Sequence, residues 1–436
     1  MTRIDTWITG LLVVVIIGLS LHAPFTVLIT THVPSMELAA KAWKEVLLFI
    51  ALSLCVIKAV QLKKLQLLTR DRLLQLLALY VLLHVILLGF MWQGIVPALA
   101  GLLIDLRWVL GFITVYCAVK LVPSLSPVLL KSAIIGAAII IGFGVLQLFL
   151  PHDSLKYIGY DRRETIAPYL TVDQNYDYIR INSTMRGPNP LGAYVMIVLA
   201  LVLAAAVRGK LLLHTTRQKV AVAALLAACA SVLWVTYSRS AQGAAAIAVG
   251  IVGVVGLWRL YSWRIIAVFG IVGLMMLGGL YAARESDFVS HVILHEDPNE
   301  GNDINSNDGH VDSVALGLER MAAQPLGAGI GSTGSASLLG DGEPIIIENQ
   351  YLFIAHEVGW LGMALFLVLQ AYILQQLWRR KDDWLNLGLF ASGVGLLAIG
   401  MLLPVLVDDT IAIIWYALAA LALAGGRTLP AKNKKH

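Results

Sequence analysis

The sequence predicts an all-α polytopic membrane protein, and three observations carry that prediction. Hydrophobic residues make up 58% of the 436 positions and charged residues only 14%. Many apolar runs approach the roughly 20 residues that a helix needs to cross a bilayer. Lys and Arg cluster in the short joints between those runs, as cytoplasmic loops of membrane proteins do. The formal charge of +5 is spread over these joints, so it is no nucleic-acid footprint and no nucleic-acid partner is expected.

Taken in order, about twelve spans are expected. The first, residues 7–29, follows Met1-Thr2-Arg3 and shows no small-residue cleavage site, so an uncleaved helix is predicted. Spans over 42–61, 72–92, 107–124 and 130–150 complete a group of five within residues 1–150. A polar, Tyr-rich loop covers 151–189. Four more spans, 190–208, 218–237, 240–258 and 264–283, fill residues 190–283. A second loop covers 284–348, and spans 350–377, 384–405 and 411–426 fill residues 349–426. A basic tail, 427–436, ends the chain.

Lys63-Lys64, Arg70 and Arg72, Lys120, Arg208 to Lys219, Arg259 to Arg264, and Arg379 to Lys381 all fall on one side of this scheme. The positive-inside rule therefore puts both termini in the cytoplasm and the two long loops outside the cytoplasmic (inner) membrane. Within the second loop, the Asn, Asp, Gly and Ser of 297–308 read as flexible turn. Asp308 is placed to N-cap a helix from Val311 to Ala323. Val314, Leu318 and Met321 form one apolar stripe, suited to a helix lying on the membrane surface. Pro325 and Gly327 stop it.

Several patterns exclude themselves. Gly327-Ala-Gly-Ile-Gly331 follows no strand and lacks the lysine of a phosphate-binding loop. Asp303 to Gly309 has its glycine one place late for a calcium loop, and Val314 stands where glutamate belongs. Cys55, Cys117 and Cys229 each lie inside an apolar run, as packing residues with no disulfide or metal spacing. No cofactor and no metal is expected.

Charged and polar groups at the mouths of apolar segments are the candidate site, because ionisable groups near lipid are costly. Arg239 sits in Thr236-Tyr-Ser-Arg-Ser-Ala-Gln-Gly243 between two spans. It is either a snorkelling interfacial arginine or a ligand for an anion, which a guanidinium matches bidentately. Arg186, in Met185-Arg-Gly-Pro-Asn-Pro190, either orders its turn or does the same, and Arg180 is a further candidate of that kind. Glu348 precedes a span. It either charges a helix start or acts as a base whose pKa burial near the membrane has raised. His310 is a substrate contact or an ordinary loop histidine. Glu357, beside His356, is expected to make a buried structural hydrogen bond. Lys44, Glu45, Asp105 and Arg107 are buried ion pairs or substrate groups, and Asp408-Asp409 is expected to be a solvated turn.

The order of these motifs resembles the O-antigen ligase/polymerase superfamily, over residues 180–375. The matching stretches are Ser238-Arg-Ser, Arg186-Gly-Pro-Asn189, Pro325-Leu-Gly-Ala-Gly-Ile-Gly331, Glu348-Asn-Gln-Tyr-Leu352 and Glu357-Val-Gly-Trp-Leu-Gly362. Two departures stand out: Glu348 replaces the family's histidine, and His310 lies where relatives open a helix with arginine. The resemblance implies a glycosyltransferase, inverting and metal-independent, working on the outer face. Its donor partner would be a glycan on a polyprenyl diphosphate, and its acceptor a glycan, lipid or protein hydroxyl. Arg186, Arg239 and Glu348 would be catalytic, with Arg180, His310, Asn349, Tyr351 and Asn189 binding substrate. The ligase, polymerase and protein-glycosylating branches differ only in acceptor. Two other classes stay open, a secondary transporter or flippase and a non-catalytic glycan-binding protein.

Overall fold

The computed structural model describes residues 2–172, 175–209, 215–261 and 306–425, with scattered positions between 267 and 289. Most of the ninth expected span (264–283), most of the turn expected over 297–308 and the basic tail lie outside these residues, and 306–308, expected in that turn, are helical. What is described is mostly helical, with one small hairpin.

The first expected span is two helices. Thr2 caps α1 (Arg3–Leu19) in a capping box with Asp5, and α2 (His22–His32) leaves it through an 82° bend. Pro24 lies in the first turn of α2. Having no N–H, it cannot donate back to Ser20, so the α1 ladder ends there.

Next come α3 (Glu37–Gln61), the short α4 (Leu65–Thr69), α5 (Arg72–Phe90), α6 (Ile95–Leu121) and α7 (Ser126–Gln147). The 151–189 loop contains the antiparallel pair β1 (Leu170–Val172) and β2 (Asn175–Arg180). After it run α8 (Pro188–Val207), α9 (Thr216–Val235) and α10 (Arg239–Tyr261). The chain continues with α11 (Ser306–Ala323), α12 (Gly334–Ser337), α13 (Gln350–Arg379), α14 (Trp384–Gly400) and α15 (Asp409–Ala424).

Among the described residues, seven helices are long and apolar enough to cross a membrane, or eight if the bent α1–α2 pair is one span. α14 and α15 are apolar but shorter. α6 starts three turns before the expected 107–124 span because Asp105 and Arg107 interrupt its hydropathy yet lie within the helix. Cys55, Cys117 and Cys229 are all free and buried.

Polar contacts sort the helix ends into two groups. At one end Lys58 pairs with Asp5, Lys120 with Asp71, and Arg208 with Asp382 at 3.7 Å. There too Arg380 donates to the Leu423 carbonyl at 2.8 Å. Of the expected basic joints, those at Lys120, Arg208 and Arg380 lie at this end. At the other end, the loop end, Gln93 bonds Ala328, Gln147 bonds Ser183, Arg180 bonds Thr236, and Asn349 bonds Met401.

A buried charge network lies towards the loop end. Asp409 Oδ2 is 2.8 Å from His22 Nε2, 3.0 Å from Lys44 Nζ and 3.9 Å from Arg107 Nη1. Lys44 also meets Glu45 at 3.2 Å, and Arg107 donates to the Val407 carbonyl at 2.9 Å. The Trp43 indole donates to His22 Nδ1 at 3.1 Å. Since an indole only donates, Nδ1 is the acceptor, and the Nε2–H faces Asp409. With His22 neutral, two cations balance two anions. The expected solvated turn is therefore wrong at Asp409, which is 2% exposed. Unpaired charge is too costly to bury, so Asp409 enters the bundle only with its partners.

The span expected over 350–377 is broken. Within α13, Gly359 has φ +68°, outside helical geometry. The carbonyls of His356 and Glu357 accept from Ala328 N at 2.6 Å and Gly329 N at 3.1 Å, and Trp360 N donates to Pro325 O at 3.0 Å. Glu357 Oε1 accepts from Gly331 N and Thr333 N, each at 3.1 Å, which is the expected structural role. The Gly-rich segment thus supplies the hydrogen bonds that the break removes. A Cβ on Gly359 would sit 2.5 Å from Pro325 O, and one on Gly327 would sit 2.6 Å from Glu357 O.

Asp409→Ala leaves Lys44 and Arg107 with Glu45 as their one buried ion-pair partner among the described residues and is expected to cost about 3–5 kcal/mol. In detergent melts it should lower Tm well beyond Lys156→Ala, which breaks an exposed pair. Equal melting of the two variants would refute the role given to the network.

Candidate functional site

Arg180 ends β2, where Leu170 pairs with it across the hairpin. Its Nε donates to the Thr236 carbonyl at 2.7 Å and its Nη2 to Asn189 Oδ1 at 2.6 Å. One guanidinium thereby ties the hairpin to the α9–α10 turn and to the start of α8. That turn takes three residues, with Tyr237 in the left-handed region at φ +46°. Thr236 Oγ1 accepts from Ser238 N at 3.2 Å, and Arg239 opens α10 directly after. α8 and α10 approach closely here, since a Cβ on Gly192 would lie 2.7 Å from Ala241 Cβ. Arg180, Asn189 and Arg239 therefore occupy one corner, built from three elements.

Arg186 lies beside this corner, exposed, in the turn that enters α8. The side chain of Asp408, the N-cap of α15, accepts from Ile411 N at 3.0 Å and feels the charge of Arg186. Burial, then the Asp409 carboxylate, push the Asp408 carboxyl up to about 6, and Arg186 pulls against them.

Glu348 comes from another direction. α11 begins at Ser306, so Asp308 lies inside the helix and is not the expected N-cap. The expected stripe is also split: Val314 and Met321 pack on the core, whereas Leu318 is exposed. Gly317 makes the contact instead, where a Cβ would lie 3.0 Å from Leu352. This seating puts Ser313 Oγ 2.7 Å from Glu348 N, as acceptor. It also sets His310 Nδ1 2.6 Å from Glu348 Oε2. The close imidazole of His310, stronger in effect than burial, holds the Glu348 carboxyl below the usual carboxylate range. The expectation of a raised pKa is corrected: Glu348 is an ionised acceptor at neutral pH, and His310 is its partner.

Asn349 and Tyr351, expected to bind substrate, have polar atoms engaged in the fold. Asn349 Oδ1 caps α13 by accepting from Tyr351 N and Leu352 N, each at 3.0 Å, and Nδ2 donates to Met401 O at 2.7 Å. The Tyr351 hydroxyl donates to Leu397 O at 2.7 Å. Gln350 Oε1 accepts from Leu406 N at 2.8 Å. The 401–408 connection is thus held by the start of α13. Among the described residues, no group of three or more His, Cys, Asp or Glu side chains is placed to hold a metal ion.

Sequence reasoning missed the hairpin, Tyr237 and the Asp409 hub. The hairpin had a signal in the period-two alternation of Asn175-Tyr-Asp-Tyr-Ile-Arg180. Asp409 had none, because its partners come from distant helices.

No family model matches this chain, and no curated protein matches it. Fold and site together define a mostly helical chain with helices long and apolar enough to cross a membrane and an arginine-lined corner at one end.

Because the Glu348 pKa is depressed in the fold, its contribution to stability is present above the ordinary carboxylate range. It is lost as pH falls through the lowered folded value. His310→Ala should therefore lower Tm at neutral pH, by an amount that shrinks on acidification. A difference constant with pH in parallel melts would show that the pair contributes nothing.

Proposed function

We propose that this protein is a glycosyltransferase of the O-antigen ligase/polymerase type. It would move a glycan from a polyprenyl diphosphate to an acceptor hydroxyl on the outer face of the cytoplasmic membrane. In this reading the chain has twelve spans, both termini are cytoplasmic, and the loop end faces out. The observation that carries the proposal is the corner where Arg180, Asn189 and Arg239 converge from three elements, with Arg186 exposed beside it. Permanently charged, planar donors fixed in this way suit the oxygens of a diphosphate.

In the mechanism, Arg186 and Arg239 hold the two phosphates, and Arg180, already bonded to Thr236 and Asn189, keeps the corner in place. The acceptor oxygen attacks the anomeric carbon from the face opposite the diphosphate, forming a new glycosidic bond. The carbon–oxygen bond to the diphosphate breaks with its electron pair, giving inversion. The hydroxyl proton passes to the ionised Glu348, whose orientation His310 fixes. Charge accumulates on the departing prenyl diphosphate, where fixed arginines stabilise it most. The phosphoester supplies the driving force, so no nucleotide is consumed.

The break in α13 favours a second reading, a secondary transporter or flippase for a lipid-linked or anionic substrate, since such carriers use discontinuous helices. The two readings separate on chemistry. Purified protein given a synthetic prenyl-diphosphate oligosaccharide and varied acceptors should release prenyl diphosphate. Arg239→Ala should slow release by about 10²–10³-fold, and Glu348→Gln should slow transfer without weakening donor binding. Donor binding without release, unchanged in both variants, would sink the enzyme in favour of transport.

A further inference from the structure

Along β2 the side chains alternate, so Tyr176, Tyr178 and Arg180 share one face of the hairpin. The tyrosines form a short ladder with the arginine at its foot. That foot is fixed, because Arg180 is bonded to Thr236 and Asn189. Tyr178 meets the ring of Tyr237 edge to face, with centroids 6.0 Å apart and planes at 80°. Tyr176, further along, is 62% exposed. The surroundings are charged: Asp177 on the other face, and Arg162, Arg163 and Glu164 upstream, are exposed.

Tyr237 is the unusual member. Its φ of +46° belongs to a region that bulky side chains rarely occupy and glycine adopts freely. The turn would form more easily with glycine, yet a large ring stands there, half-exposed and immediately before Ser238 and Arg239. Strain retained at a surface turn is a sign that the side chain does something the fold does not need.

We infer that Tyr176, Tyr178 and Tyr237 form a carbohydrate track leading away from the arginine corner, which binds the sugar residues of the donor while the arginines bind its diphosphate. Aromatic faces carry partial negative charge and attract polarised C–H bonds. Pyranose rings present several such bonds on one face, and hydroxyls around the rim that the tyrosine O–H groups can meet. The order from foot to tip gives the direction, with the anomeric end at Arg180 and the distal sugars towards Tyr176. This inference rests on the proposed glycan-transfer reading and adds the place where the glycan lies.

The test uses the full chain in nanodiscs with two ligands, a bare prenyl diphosphate and the same carrier bearing a short oligosaccharide, titrated by calorimetry. Wild type should bind the sugar-bearing carrier about tenfold more tightly than the bare one. Tyr237→Gly removes the ring while suiting the left-handed turn, so it should melt no lower than wild type. It should bind the bare carrier normally and lose most of the sugar-dependent gain. Tyr176→Ala, at the exposed tip, should lose part of that gain, and Tyr237→Phe should keep most of it. If wild type binds both carriers equally, or Tyr237→Gly keeps the gain, the track is refuted while the diphosphate reading stands. If wild type binds neither carrier, the diphosphate reading falls and the track falls with it.

Discussion

Everything at the loop end depends on how Asp409 is neutralised. Its carboxylate draws together His22 at the α1–α2 bend, Lys44 in α3 and Arg107 in α6. Arg107 also holds the Val407 carbonyl, which fixes the connection from α14 to α15. That connection carries Asp408 and is tied to the start of α13 through Asn349 and Gln350. A charge that must be paired to be buried thereby sets the height of four helices against each other.

A second requirement is that backbone groups in an apolar surround find partners inside the protein. The break at Gly359 leaves carbonyls and an N–H without their helical partners, and the Gly-rich segment 325–331 meets them with its own backbone. Glycine is needed on both sides because the two backbones touch. The same segment follows α11, so the break that it seals also seats the helix carrying His310. The sequence motif that most resembles a phosphate loop is therefore a structural clasp, with its N–H groups turned to Glu357 and to the broken helix.

Legibility followed the range of the interactions. Hydropathy located most of the apolar helices among the described residues, because that signal is local. Boundaries failed where a polar residue was compensated from elsewhere. Asp105 and Arg107 concealed the first three turns of α6, and Asp409 read as solvated although its partners lie in helices far away in sequence. The bend after α1 was legible in Pro24 but was absorbed into a single apolar run. At the site, Arg180, Arg186, Arg239 and Glu348 were identifiable as charges at helix mouths. The lowering of the Glu348 pKa was not, since it needs a histidine brought in by α11, whose register Gly317 sets.

The three cysteines add a property of a different sort. Each thiol is enclosed between helices, so thiol-alkylating reagents arriving from either compartment meet no exposed thiol. The native chain is in effect already a cysteine-free background. Single thiols engineered into Lys63–Lys64 or the 161–164 turn would then report, by their labelling alone, which compartment each end of the bundle touches.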